Sequence, residues 1–264
     1  ATRPHFVTTV HGLYSVSPYS AIMTKGERVI AVSETVRQYI LDNYPSCPAN
    51  RIDLVYRGVD PQEFPYGYQP SEEWRHAWEL HYPQLSGKKI LTLPGRITRL
   101  KGHETFISLI GQLKAEGLAV HGVIVGGAEE KKQDYLAELH QLVARHNLAD
   151  DITFTGLRND IRDIFAVSDI VYSLSTKPET FGRTTLEALS QGTPVIGWNT
   201  GGVGEILSTM YPDGAIAVDA ITALEQQTRS ALDSPPLIDH NPVFTLAKMQ
   251  QETLRLYAEI CSTS

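Results

Sequence analysis

Cysteine is nearly absent from this chain. Cys47 and Cys261 are the two cysteines in 264 residues, far apart and without metal-ligand spacing. Neither a disulfide framework nor a cysteine zinc site organises such a chain, and free thiols in a reducing compartment are expected. Long apolar runs are missing too. None approaches the ~20 residues that cross a bilayer, and no signal peptide opens the chain. Positive charge is in deficit. Lys and Arg number 23 against 30 Asp and Glu, giving a net charge of −7 and a pI near 5.7. No basic stripe offsets that balance, which excludes a dedicated nucleic-acid binder. There is no internal repeat and no low-complexity tract. An initiator Met is also lacking, and the chain runs straight into strand-like sequence, which reads as a fragment.

What is present is ordinary globular composition, 42% hydrophobic and 20% charged, at a length that suits one large or two modest domains. The informative stretch is STKPETFGRTTLEALSQGTPVIG. Ile170 to Ser175 is a short apolar run followed by a loop. From Thr184 the pattern is helical, with Leu186 and Leu189 three apart, and Gly192 with Pro194 makes a C-terminal stop. Pro194 to Trp198 is another buried run. Strand, loop, helix and strand in this order predict a parallel sheet. The loop leaving such a strand is where α/β folds bind ligands. The helix start near Thr180, Phe181 and Gly182 offers unpaired N–H donors to a diphosphate. Glu179 and Glu187, eight residues apart across that helix start, can accept hydroxyls from different parts of an elongated ligand. Alone, each carboxylate reads as ordinary surface chemistry. Together around Phe181-Gly182 they suit a nucleotide sugar.

ETFGRTTLEALSQGTPV resembles the E-x-F-G-x-x-x-x-E-A-x-x-x-G-x-P signature of the retaining, GT-B-fold glycosyltransferases of family four, also called group 1. The resemblance implies that Glu179 contacts the donor sugar hydroxyls and Glu187 the nucleotide ribose. GRITRLKG is similar to the family's G-R-x-x-x-x-K-G motif, which implies that Arg96 and Lys101 hold the pyrophosphate. On their own these are two cations beside a helix start, where the dipole disfavours them, and that conflict itself hints at a bound anion. Arg99, between them, is read as structural or solvated. TVHG resembles the segment that holds a His near the reacting sugar, which implicates His11. A lone His is otherwise usually a packed or surface residue. By the same resemblance Gly126 and Gly127 lie under the nucleoside, and the backbone at Leu157 and Arg158 meets the base. Arg57 stands where relatives often have a small polar residue and receives no role.

Taken in order, Phe6 to Val10, Val29 to Val32 and Leu54 to Tyr56 are strands, and Ser33 caps a helix that runs to about Asn43. With intervening helices these make half a doubly wound sheet. Tyr66 to Gln84 is a connection with a short helix at Glu72 to Leu80. The second domain opens with the strand Lys89 to Leu93. A helix with Phe106, Ile107, Ile110 and Leu113 on one face follows. Next come a strand at Val120 to Val125 and a helix from Lys132 to Asn147 with Leu136, Leu139, Leu142 and Val143 inward. A strand at Ile152 to Thr155 and a short helix at Asp160 to Ala166 complete that half. After the central motif, Asn199 to Glu205 reads as a Gly-rich loop entering a helix. Ala215 to Val218 is a sixth strand and Ile221 to Leu232 a helix, and Phe244 to Ile260 is a terminal helix crossing back to the first domain.

The expectation is therefore an α/β protein of GT-B type. Residues 1–86 form a partial Rossmann-like, acceptor-side domain with its linker. Residues 87–242 form a Rossmann-like donor domain with a parallel sheet of about six strands, and residues 243–264 form the crossing helix. The resemblance implies glycosyl transfer from a UDP- or GDP-linked sugar to a hydroxyl acceptor with retention. The acceptor would be a glycan, a lipid-linked or a small molecule. No cofactor and no metal are implied, since no Asp-x-Asp site stands at a strand end. Two alternatives stay open: a nucleotide-sugar-binding module without transferase activity, and a GT-B-fold epimerase. A cytoplasmic location follows, at the inner face of the membrane if the association is peripheral. The half-sheet is expected to expose an edge and apolar faces, leaving residues 1 to about 85 mobile or paired with another copy.

Overall fold

The computed structural model describes residues 4–129 and 133–262. The N-terminal unit is a three-stranded parallel sheet of β1 (Val7–Val10), β2 (Arg28–Ala31) and β3 (Ile52–Leu54), in that spatial order. β3 lies two residues earlier than its apolar run suggests. Val55 still donates to the Ala31 carbonyl, and then the chain leaves the sheet. Only a 3₁₀ turn at Ser20–Thr24 joins β1 to β2, so the first crossover lacks the helix expected of it. The second carries α1 (Glu34–Asn43), where the Ser33 hydroxyl accepts the Val36 N–H as an N-cap should.

β2 shows why this small sheet holds together. Its side chains alternate, so Val29 and Ala31 pack with Val36 and Ile40 of α1, while Ile30 faces the other way. On that second face lie Leu256 and Ile260 of α9 (Leu246–Ser262), which comes back from the far end of the chain. Both faces are thus covered, contrary to the bare half-sheet anticipated above, and β1 is left with one neighbour. The linker is also strapped down. Its helix α2 (Glu72–His81) stacks Trp74 on Trp78, and the Trp74 indole N–H donates to Asp160 of the larger unit.

That larger unit is a six-stranded parallel sheet. β4 (Lys89–Pro94), β5 (Val120–Val125) and β6 (Ile152–Gly156) run outward on one side, and β7 (Ile170–Ser173), β8 (Val195–Trp198) and β9 (Ala215–Ile216) on the other, giving the order β6-β5-β4-β7-β8-β9. β5 and β7 are buried along their whole length, as near-continuous apolar runs between two helical layers must be. His121 and Gly122 inside β5 are buried with the rest. α3 (His103–Ala115) buries Phe106, Ile107, Ile110 and Leu113 against it, at about 1.5–3 kcal/mol for each such side chain. α4 (Gln133–Arg145) buries Tyr135, Leu139 and Val143. Lys132, where the periodicity starts this helix, lies outside the described residues. α5 (Ile161–Ala166), α6 (Arg183–Gln191), α7 (Gly201–Met210) and α8 (Ile221–Asp233) complete the layers. The Gly-rich segment read as a loop is already helical from Gly201. Among the described residues no helix is long and apolar enough to cross a membrane.

Candidate donor site at the β4 and β7 switch point

Strand order reverses between β4 and β7, so the loops after them leave in opposite directions and open a crevice at the carboxyl edge of the sheet. Three helices start there without side-chain caps. α3 is preceded by Gly102 and α6 by Gly182, both in left-handed conformation, and α7 by Thr200. Gly182 has φ 93°, and a Cβ on it would lie 2.7 Å from the Val203 side chain. Gly202 is pressed still closer: a Cβ would sit 2.3 Å from the Phe181 Cα, while its N–H donates to the Glu179 carbonyl at 2.8 Å. The glycines of α7 therefore let a helix start lie directly on the Glu179–Phe181 loop. That need for close approach outweighs their poor helix propensity.

Lys101 and Glu179, 78 residues apart, meet across this crevice at 2.6 Å (Nζ to Oε1). The Ser175 hydroxyl donates to the same oxygen at 2.5 Å, and among the described residues no hydrogen bond engages Oε2. The Lys101 stem lies over Gly95, which holds the ammonium at the β4 end. The cavity here has a volume of about 740 Å³ and is bounded by Arg96, Lys101, Ser175, Lys177 and Glu179, with Tyr135 on its far wall. Arg96 is largely exposed and pairs with Glu129 at 3.2 Å. Arg99 also lines this cavity, where it pairs with Glu138 and lies 4.6 Å over the Tyr135 ring.

Glu187 stands apart from that group. It lines a second cavity of about 150 Å³ together with Phe181 and Arg183 of the larger unit and Arg57 and Asp60 of the N-terminal segment. Its carboxylate accepts from Arg183 at 2.9 Å, one helical turn away. Burial raises its pKa above the usual carboxylate value, and the nearby Arg183 charge opposes the shift. His11 lies at the end of β1, where burial and then the Arg57 charge lower its pKa. Gly126 and Gly127 are wired into the neighbouring loops, Gly126 N–H to the Gly156 carbonyl at 3.0 Å and Ile97 N–H to the Gly127 carbonyl at 3.0 Å. Leu157 is 81% exposed, and the Arg158 guanidinium binds Asp160 of its own unit and sits 5.7 Å over Trp78 of the linker.

Thus Arg96, Lys101 and Glu179 share one cavity, and Phe181 and Glu187 line the next. Thr180 and Gly182 lie on the loop between them. Gly126, Gly127, Leu157, Arg158 and His11 border neither cavity. Sequence reasoning did not single out Arg183, although its i,i+4 spacing to Glu187 was legible. Ser175, Arg57 and Glu205 had no local signal. Glu205 of α7 accepts the Glu34 and Thr35 N–H groups at the start of α1, at 2.9 and 2.8 Å, and joins the two units.

Two Rossmann-like parallel units, with a crevice at the switch point of the larger, define a GT-B-type fold. The match to known families agrees. Residues 79–241 match the model described as glycosyl transferases group 1, and residues 1–63 match glycosyltransferase family 4. The chain belongs to the group 1 glycosyltransferases. Spore coat protein SA of Bacillus subtilis is 28% identical over 190 residues, 68% of this chain and 48% of that protein. A glycosyltransferase structure from Rickettsia africae superposes with a TM-score of 0.84 at 26% identity, covering 98% of this chain and 71% of that one. A structure of Anabaena Alr3699/HepE in complex with UDP and glucose superposes with a TM-score of 0.69 at 21% identity, covering 96% and 71%. The chain spans about half the length of the curated relatives it matches.

Proposed function

We propose that this chain carries the donor half of a retaining, metal-independent glycosyltransferase that moves a sugar from a nucleoside diphosphate to a hydroxyl acceptor. The observation that carries the reading is the Lys101–Glu179 pair at the switch point, beside three helix starts that lack side-chain caps. A cation and a hydroxyl-accepting carboxylate side by side are what a sugar diphosphate presents partners for. As the glycosidic bond breaks, negative charge grows on the leaving diphosphate. Lys101, Arg96 and the α6 start offset it. Glu179 orients the sugar through its hydroxyls, Glu187 takes the ribose, and His11 contacts the sugar near the reacting carbon. The donor phosphate assists deprotonation of the acceptor on the same face.

Calorimetric titration with UDP and with GDP tests the donor site, repeated on Glu187→Ala. Saturable binding of one nucleotide, weakened in the variant, supports it. A cooperatively folded chain that binds neither nucleotide sinks it. A second reading is a nucleotide-sugar-binding module without transfer. Under that reading UDP binds while UDP-glucose is never consumed, whatever acceptor is offered.

A further inference from the structure

The contact between His11 and Arg57 belongs to no role assigned so far. β1 and β3 lie on either side of β2, so their ends are separated by about 10 Å, twice the inter-strand spacing. His11 follows β1 directly and Arg57 follows β3 by three residues. Nevertheless the Arg57 guanidinium reaches the His11 ring and donates to its Nδ1. Only a long side chain closes that gap. Arg57 is itself held firmly. A Cβ on Gly58 would lie 2.1 Å from the Thr245 carbonyl carbon, and Val59 exchanges hydrogen bonds of 3.0 and 2.9 Å with Phe244 and Leu246. Arg57 also lines the cavity that Glu187 and Phe181 share.

A guanidinium has five donors and no acceptor. Whichever ring nitrogen faces it must therefore offer a lone pair, so the ring is neutral and the other nitrogen bears the proton. We propose that Arg57 is a positioning residue that holds His11 neutral, with its outer N–H presented as a donor to the bound sugar. The proposal rests on the donor-site reading for what His11 touches. The pair itself is independent of that reading. Arg57 is the charged group that acts on His11 among the described residues.

The test is a pH titration of the nine histidines of the full chain by long-range ¹H–¹⁵N correlation, with His11 assigned from His11→Gln. In the parent chain His11 should be protonated on one nitrogen and titrate below its ordinary value. Arg57→Met should raise the midpoint, though burial of the ring still holds it below its ordinary value, and Arg57→Lys, which keeps a donor-only cation, should hold it low. Thermal melts confirm that each variant is folded. A His11 midpoint unmoved by Arg57→Met, or a ring protonated on the nitrogen facing Arg57, overturns the proposal. UDP titration in parallel separates the two claims. A parent chain that binds no UDP, with the His11 shift intact, refutes the donor reading alone, and UDP binding by the parent with no His11 shift refutes the positioning role alone.

Discussion

Glu205→Ala should destabilise the chain more than any other single change at the junction of the two units. Glu205 stands on α7, yet its carboxylate takes the first two N–H groups of α1, from Glu34 at 2.9 Å and Thr35 at 2.8 Å, and the Thr35 hydroxyl at 2.6 Å. Ser33 takes the next N–H, from Val36. The whole first turn of α1 is therefore satisfied, two donors by the other unit and one by its own cap. Losing an N-cap costs about 0.5–2 kcal/mol, and a hydrogen bond to a charged acceptor contributes about 1.5–3 kcal/mol. Glu205 is half-buried, so water replaces part of what is lost, and the expected total is about 2–3 kcal/mol. For a chain of this length that corresponds to a drop in Tm of roughly 5–10 °C. Glu205→Gln keeps one carbonyl acceptor and should lose about half as much. Ser33→Ala should cost about 1 kcal/mol. Both residues serve one helical turn, so the double variant should depart from additivity. Urea unfolding followed by circular dichroism measures all four. A Glu205→Ala chain within about 0.5 kcal/mol of the parent, beside a normally destabilised Ser33→Ala, would refute the reasoning.

Three further outcomes are expected. Lys101→Ala should lower turnover by about a hundredfold or more in the whole enzyme if Lys101 has the proposed role at the leaving diphosphate, whereas the more exposed Arg96 should cost less on truncation; unchanged steady-state rates in both would remove the diphosphate role. His121 is buried and accepts or donates to Thr153 at 2.9 Å, and burial lowers its pKa to about 4 from 6.5. The folded chain stays unprotonated there while the unfolded chain takes up a proton, so stability present above pH 6.5 should be lost as pH falls toward 4, by about 2–3 kcal/mol, and His121→Gln should flatten that slope in melts across the range. Gly202→Ala should cost about 3 kcal/mol or more and weaken UDP binding, since its Cβ meets the Phe181 backbone at 2.3 Å; a chain that accepts alanine with full stability would mean that α7 can move off the donor loop.

Much of the donor unit was readable before any coordinates. β5 and β8 appear close to their apolar runs, Gly192 ends α6 with φ 93°, and the Ser33 cap is where its spacing places it. The errors have physical causes. β3 was set two residues late because Val55 is buried and looks like strand; it makes the last bond to β2, packs with Leu256 and Ile260 of α9, and the chain then leaves the sheet. Gly201 to Gly204 read as loop because glycine disfavours helix, and only the proximity of Phe181 explains why a helix must start with them. The Arg158 side chain is engaged by Asp160 and Trp78, which no local pattern foretold.

The sequence by itself determined the kind and order of the elements and the residue types able to handle a sugar diphosphate. Those rest on caps, periodicity and side chains a few residues apart, which act within one or two turns. The tertiary structure decided which strands are neighbours, and hence which charges meet. Strands buried on both faces carry no pattern that names a partner, and a parallel pair always joins segments distant along the chain. Lys101 beside Glu179, Glu205 on α1 and Arg57 on His11 are all contacts of that kind. Each exists because two elements far apart in sequence end at the same edge of a sheet or cross between the two units.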